Sequence, residues 1–338
     1  MFSAFLSSVD RSKLPYMVHD DHSKPKDLLL LLDQETLPFD QFARLLSPSA
    51  RPLLPYLQRK AHEKTLQQFG QTMQLYVPFY LSNECTNQCT YCGFNENLHI
   101  KRKTLSSEEQ AAGFSCLRSL GFDHILLLTG EAPLVAGSDY LEKSIRLAKT
   151  YFNQVSLEIF PCDTPEYARL AASGASGLSL YQETYQEGAY GEAHPHGPKN
   201  NYTYRLDSAD RALSAGFKKM GLGCLLGLSD WRLDIALCVL HMVYLQKKYW
   251  RAELSMSFPR LRANQQRYPV SDHDLHQIIC AVRIFLPTIN LVLSTRESSS
   301  LRDTLIHSGI TMISAGSKTN PGGYSDIVSS SQFDISDH

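Results

Sequence analysis

Along the 338-residue chain the rhythm of hydrophobic and polar positions changes near residue 70. Before that point polar sequence carries helical patches, clearest over 37–46 and 56–69, with Pro38, Pro48, Pro52 and Pro55 as punctuation. The apolar run 28–32, bracketed by Asp27 and Asp33, reads as part of a helix. After that point strand-length apolar segments alternate with amphipathic stretches. The pattern predicts strands at 74–81, 124–129, 155–160, 177–182, 218–226, 252–258, 290–295 and 311–315. Helices are predicted between them at 106–120, 139–151, 165–172, 207–215, 231–249 and 272–285. Ser106 and Glu109 form a capping box at the first of these, and Gly121, Gly174 and Gly216 stand where C-terminal caps belong.

Eight strands alternating with helices over about 240 residues match the length and order of a (βα)8 unit. The expected fold is therefore α/β: a parallel TIM-type barrel with an N-terminal helical extension. A doubly wound open sheet shares the alternation, because pattern alone does not show closure. The expected division is 1–70 for the extension, 71–325 for the barrel and 326–338 for a tail containing Ser329–Ser331. In a barrel, chemistry gathers at the C-terminal ends of the strands.

Composition narrows the classes. Hydrophobic residues at 43% exclude wholesale disorder, and no apolar run reaches the roughly 20 residues that span a bilayer. With 33 Lys+Arg against 34 Asp+Glu there is no charge reason to expect nucleic acid or an anionic membrane as partner. The first residues lack the order of a signal peptide, so a cytoplasmic enzyme is expected. Eight cysteines are too sparse for a disulfide scaffold, yet three fall within eight residues.

Those three, Cys85, Cys89 and Cys92, form a C-x3-C-x2-C loop after the first predicted strand. Three thiolates on one loop suit a soft metal centre. Structural zinc wants a fourth close ligand, for which His99 or a distant cysteine is the candidate. An iron–sulfur cluster held by three cysteines instead leaves one iron open. At the other strand ends stand Gly130 and Glu131, where the glycine admits close approach to a ligand. Glu158 on the third strand faces either solvent or the barrel mouth. Gln182 and Glu183 are polar residues following the fourth strand, and His194 and His196 lie in a Pro- and Gly-containing loop read as a cover. Arg205 offers a bidentate fork to a carboxylate. Glycines of the fifth strand leave room against the barrel wall. Arg260, Arg262, Arg296 and Lys318 suit a carboxylate-bearing ligand, with Tyr80 and Tyr91 near an aromatic ring.

The cysteine loop, with Tyr91 just before its last cysteine, closely resembles the signature of the radical S-adenosylmethionine (SAM) superfamily. Segments 76–83, 100–105, 181–185, 257–262, 294–298 and 317–324 together resemble the ThiH family, the tyrosine lyases or 2-iminoacetate synthases of bacterial thiamine biosynthesis. The resemblance runs from about Phe69 to the C-terminus. It implies a 4Fe–4S cluster on Cys85, Cys89 and Cys92 whose open iron binds SAM. It also implies SAM contacts from Tyr91, Gly130, Glu131, Glu158, Gln182, Glu183 and Arg205, with the chemistry residing in cluster and SAM rather than in a catalytic side chain. Cleavage of the Cα–Cβ bond of L-tyrosine to 2-iminoacetate (dehydroglycine) and p-cresol is implied, with thiazole synthase ThiG as partner and flavodoxin or ferredoxin as reductant. By analogy with the related tryptophan lyase, Arg296 holds the substrate carboxylate, with Tyr80 and Ser314 near the amino acid head. Members of the family usually continue past the position of His338 with a closing helical segment, and some carry a bulkier residue at Gly316, where a change of pocket shape is expected. The rivals are the tryptophan lyase, the hydrogenase-maturation tyrosine lyase and, outside enzymes, an iron–sulfur electron carrier. Cys116, Cys162, Cys224, Cys238 and Cys280 receive no task.

Overall fold

The computed structural model describes residues 1–34, 36–261, 266–324 and 332. Eight parallel strands close into a barrel in chain order: β1 (Gln74–Ser82), β2 (His124–Thr129), β3 (Gln154–Glu158), β4 (Gly177–Ser179), β5 (Lys219–Gly223), β6 (Glu253–Ser257), β7 (Asn290–Leu293) and β8 (Met312–Ser314). Closure between β1 and β8 pairs Gln74 with Met312 and Tyr76 with Ser314. The open-sheet alternative is thereby excluded. Most strands are shorter than the apolar segments predict, because their last residues leave the ladder to form the loops of the barrel mouth.

Period-2 alternation sorts side chains between two environments. On β1, Val77, Phe79 and Leu81 point outward into the layer between strands and helices, while Tyr76 and Tyr80 point inward. The outer layer is continuous and apolar, with Ile125, Leu127, Leu157, Leu222, Met256 and Leu291 all buried. The interior is packed only in part: Tyr76, Tyr80, Phe94, Leu126, Leu128, Val292 and Met312 cluster on one side. Small or polar residues such as Ser156, Ser179, Gly221 and Ser255 leave the rest open.

The predicted helices are present, with the capping box of Ser106 and Glu109 formed at Ser107–Ser119. Gly121, Gly174 and Gly216 all adopt positive φ. Helix Trp231–Lys248 is buried on most of its faces, as its near-continuous apolar sequence requires. Its cover comes from the N-terminal extension. Phe2 stacks on its His241 at 3.7 Å; on the neighbouring helix Asp272–Phe285, Phe42 stacks on Phe285 at 4.6 Å and the Gln277 amide donates to the carbonyls of Leu45 and Ser47. The run 28–32 is helical as expected, across Pro25–Leu29 and the 3-10 turn Leu30–Asp33, whereas the short helices Phe2–Ser8 and Leu14–Val18 escaped the sequence reading because each is under two turns. Among the described residues, no helix is long and apolar enough to cross a membrane.

Candidate active site

The loop after β1 carries the three cysteines across the barrel mouth, and one side chain shapes it. Arg102 donates to the carbonyls of Asn83 at 2.7 Å, Phe94 at 2.9 Å and Asn95 at 2.8 Å. Asn83 in turn pairs with the backbone of Lys101 and Lys103. Gly130 at the end of β2 lies directly against this loop. A Cβ there would sit 2.3 Å from the carbonyl oxygen of Glu84. The glycine expected to admit a ligand thus admits the backbone that leads into the cysteines.

Cys85, Cys89 and Cys92 line one cavity of about 660 Å³ together with Glu131, Glu158, Glu183, Lys199 and Arg205. The backbone N–H of Phe94 points at Cys92 Sγ at 3.4 Å, and the Gln332 amide approaches the same sulfur at 3.7 Å. Such donors favour a thiolate bound to metal. Burial pushes the Cys89 thiol up to about 11, with Lys199 opposing, so a metal must displace its proton on binding. Among the described residues no three His, Cys, Asp or Glu side chains converge on one ion-sized point. The thiols instead spread around a cavity, which suits separate corners of a polynuclear cluster. His99 is exposed and does not line the cavity, so it supplies no fourth ligand for zinc. Cys162, Cys224, Cys238 and Cys280 are buried elsewhere.

Facing the cysteines is a charged wall. Glu131 accepts from the Asn87 amide at 2.7 Å. Glu183 is buried between Lys199 at 2.6 Å and Arg205 at 3.6 Å. Burial by itself would raise its carboxyl, but the two cations outweigh this and hold it below the ordinary value. Glu183 also has φ 70, the one positive φ at a non-glycine among the described residues. Such a conformation costs roughly 1–3 kcal/mol and persists where surrounding contacts over-determine it. Here the Lys199 ammonium and the amide N–H of Leu225, at 2.7 Å, hold it. Arg205, on the helix Tyr202–Leu206, donates through Nε to the Tyr181 carbonyl, turns Nη2 towards Glu183 and lines the cavity.

Tyr91 is oriented from behind. Its hydroxyl lies 2.8 Å from His194 Nε2, whose Nδ1 lies 2.7 Å from the Tyr190 carbonyl. The carbonyl requires a donor, so Nδ1 carries the proton and Tyr91 donates to Nε2. Burial, then Lys199, depresses His194 to about 3 and keeps it neutral. The loop expected to be a simple cover therefore contains a built support.

A second cavity, of about 620 Å³, continues into the barrel and shares Tyr80, Leu128, Glu158 and Tyr181 with the first. Arg296, Ser314, Ser294, Ser317 and Thr319 line its polar side, and Tyr76, Leu126 and Val292 its apolar floor. Tyr80 donates to the Gln332 amide oxygen at 2.7 Å, which places a tail residue between the two cavities.

Several expectations need correction. Gln182 is buried but lines neither cavity, because alternation sends Tyr181 and Glu183 to the mouth and Gln182 to the opposite side. A Cβ at Gly223 would sit 2.6 Å from the Ser257 carbonyl oxygen and 3.0 Å from the Tyr181 ring, so the glycine admits the neighbouring strand and that tyrosine. Gly316 does not border the pocket: a Cβ there would face Phe122 at 3.6 Å, and its φ of 58 explains the glycine. Arg260 is committed to Glu297 and Asp272. Arg262 lies outside the described residues, as does nearly all of the tail 326–338. Sequence reasoning missed Lys199, Gln332, Tyr76 and Tyr181 as cavity residues. Arg102 was inside a quoted motif, without a role.

Comparison with known proteins agrees with this geometry. Residues 79–237 match the model of the radical SAM superfamily, and residues 257–338 match the Biotin and Thiamin Synthesis associated domain. The 2-iminoacetate synthase of Escherichia coli (strain K12) is 42% identical over 305 residues, covering 89% of this chain and 81% of the relative. That of Salmonella typhimurium matches equally well. Among solved structures, HydG, a maturase of the FeFe-hydrogenase, superposes with a TM-score of 0.89 at 28% identity, over 96% of this chain and 76% of that one. Methylornithine synthase shares the fold with a TM-score of 0.74 at 20% identity, over 91% of this chain and 90% of that one.

Proposed function

This chain belongs to the 2-iminoacetate synthase family of the radical SAM enzymes, and we propose that it cleaves the Cα–Cβ bond of L-tyrosine to give 2-iminoacetate and p-cresol. The observation that carries the reading is a shared wall: the cavity lined by the three cysteines shares Tyr80, Leu128, Glu158 and Tyr181 with a second one, which Arg296 lines together with an aromatic and aliphatic floor. The first has the residues for a 4Fe–4S cluster on Cys85, Cys89 and Cys92, with the fourth iron left for SAM. The second has one guanidinium for a carboxylate and an apolar floor for a ring.

When bound there, cluster and SAM would supply the radical chemistry that takes a hydrogen atom from the substrate amine. The protein's part is placement and exclusion of water. Arg205 is assigned the methionine carboxylate by its fork, and Glu131 the methionine amino group. Glu183, kept ionised by Lys199, is assigned the ribose hydroxyls, for which it is a better candidate than Gln182. Arg296 is assigned the tyrosine carboxylate, with Tyr80 and Ser314 beside it. The product is small and reactive, so delivery to ThiG, in the cytoplasm and with flavodoxin or ferredoxin as reductant, completes the reading. We assign residues 1–70 to a covering extension, 71–325 to the catalytic barrel and 326–338 to a tail.

The test is anaerobic reconstitution with iron and sulfide, followed by incubation with tyrosine, SAM and a low-potential reductant. p-Cresol is expected. A cluster-loaded protein that cleaves SAM but makes no p-cresol would sink the tyrosine assignment. Cys89→Ala is expected to abolish SAM cleavage, and retained cleavage would contradict the cluster assignment.

The likeness to HydG supports a second reading, the hydrogenase-maturation tyrosine lyase. By resemblance that family holds a second cluster on additional C-terminal cysteines. Iron content distinguishes the two, at one cluster or two per chain.

A further inference from the structure

Glu158 ends β3 at the wall shared by the two cavities. It is the one acidic side chain among the described residues lining the second cavity, and Arg296 is the one guanidinium there. One cation and one anion above an apolar floor complement an amino acid zwitterion, in which carboxylate and ammonium share one carbon.

The remaining acids of the mouth are already served. Glu183 has Lys199 and Arg205, and Glu131 has the Asn87 amide. Glu158 forms no ion pair with any described residue. A carboxylate in such a cavity carries a desolvation cost until a cation joins it. The amine to be attacked must also face the cysteine-lined cavity, and Glu158 stands on that boundary.

We propose that Glu158 binds the α-ammonium of the substrate and takes one proton from it before hydrogen abstraction. This deepens the tyrosine-lyase reading and rests on it. The step is balanced: an N–H bond breaks with its electron pair staying on nitrogen, an O–H bond forms on Glu158, and R–NH3⁺ with carboxylate becomes R–NH2 with carboxylic acid. No electron is exchanged. Removing a hydrogen atom from the neutral amine then leaves a neutral aminyl radical. Removing it from the ammonium would leave a radical cation, which a low-dielectric cavity disfavours.

The surroundings suit a base. Burial and then Glu183 raise the Glu158 carboxyl to about 7, with the Tyr181 hydroxyl, Arg296 and Lys199 opposing. Tyr76 and Tyr80, the other titratable groups facing it, are held neutral by burial. A base near the working pH transfers protons most effectively.

The experiment compares cluster-loaded wild type with Glu158→Gln and Glu158→Asp, all with SAM present. Calorimetry measures binding of L-tyrosine and of 3-(4-hydroxyphenyl)propanoate, which lacks the amine, and p-cresol formation is followed against pH. Wild type is expected to prefer tyrosine by about 10- to 100-fold, as an ion-paired hydrogen bond contributes. Its kcat/KM should rise with unit slope through about pH 7. Glu158→Gln should lose both the preference and that pH limb, with kcat reduced about 100-fold or more and SAM affinity retained. Glu158→Asp should recover part of each. An unchanged preference and pH limb in Glu158→Gln overturns the proposal. So does a loss of SAM affinity with tyrosine binding intact, which would move Glu158 to the cofactor. If wild type itself neither binds tyrosine nor makes p-cresol, the tyrosine reading fails and this proposal fails with it. That outcome differs from an active wild type with an unaffected variant.

Discussion

The side-chain amide of Asn87 donates to the carboxylate of Glu131 at 2.7 Å, joining the middle of the cysteine loop to the end of β2. The same side chain accepts from the backbone N–H of Lys199 at 2.8 Å. One residue between two cysteines therefore fixes an acid and a loop that carries a cation.

Asn87→Ala should release Glu131 and the segment around Lys199 together, and it also removes the amide that reaches Cys85 Sγ at 3.8 Å. SAM affinity is expected to fall about tenfold or more, consistent with losing a hydrogen bond to a charged group. Equilibrium SAM binding to cluster-loaded protein checks this, and unchanged affinity would remove Glu131 from the cofactor site.

Arg102 acts on the same loop through three carbonyls. Arg102→Met preserves much of the stem but deletes every donor, at a cost of roughly 1.5–3 kcal/mol for each charged hydrogen bond. The variant should take up less iron on reconstitution and lose it faster to a chelator. Its barrel should still fold, as judged by circular dichroism. Normal iron retention would show that the loop keeps its shape without this clamp.

Arg296→Ala should raise the KM for tyrosine by about 100-fold, since Arg–carboxylate pairs combine charge with bidentate geometry. SAM binding should change less than the KM, because Arg296 lines the cavity with the apolar floor and not the one that holds all three cysteines, although it borders a third cavity together with Cys92. Steady-state p-cresol formation and SAM titration separate the two effects. Equal losses would assign Arg296 elsewhere.

His194 makes stability depend on pH. Its folded-state value is depressed to about 3, against 6.5 for the ordinary group. Below pH 6.5 the unfolded chain binds a proton that the folded chain refuses. The contribution is complete above that pH and is lost as pH falls towards 3, by about 1.4 kcal/mol per pH unit. Denaturant midpoints between pH 7 and 5 should decline more steeply in wild type than in His194→Gln, by about one proton. Parallel slopes would contradict the buried neutral histidine.

Different parts of the molecule were legible to different degrees. The barrel could be read because strand alternation and helix capping are local, as with Ser106 and Glu109. The cysteine site could be read because its three thiols occupy eight consecutive positions. Gln182 and Glu183 show the limit: both are polar neighbours after a strand, and only the direction of the backbone separates the one that reaches the mouth. Lys199 carried no signal, since nothing in Pro198-Lys199-Asn200 announces a partner sixteen positions away. Gln332 reaches Tyr80 across 252 positions, a contact no window of sequence contains.

By itself, then, the sequence determined the succession of strands and helices and the presence of one loop that brings three cysteines together. These follow from interactions between residues a few positions apart, which the order of amino acids specifies directly. Which acids find cations was decided only by closure of the barrel. It brings Glu183 to Lys199 and Arg205 and leaves Glu158 unpaired beside Arg296's cavity. Pairing energy depends on distance and burial in space, and those quantities exist only once eight strand ends share one mouth.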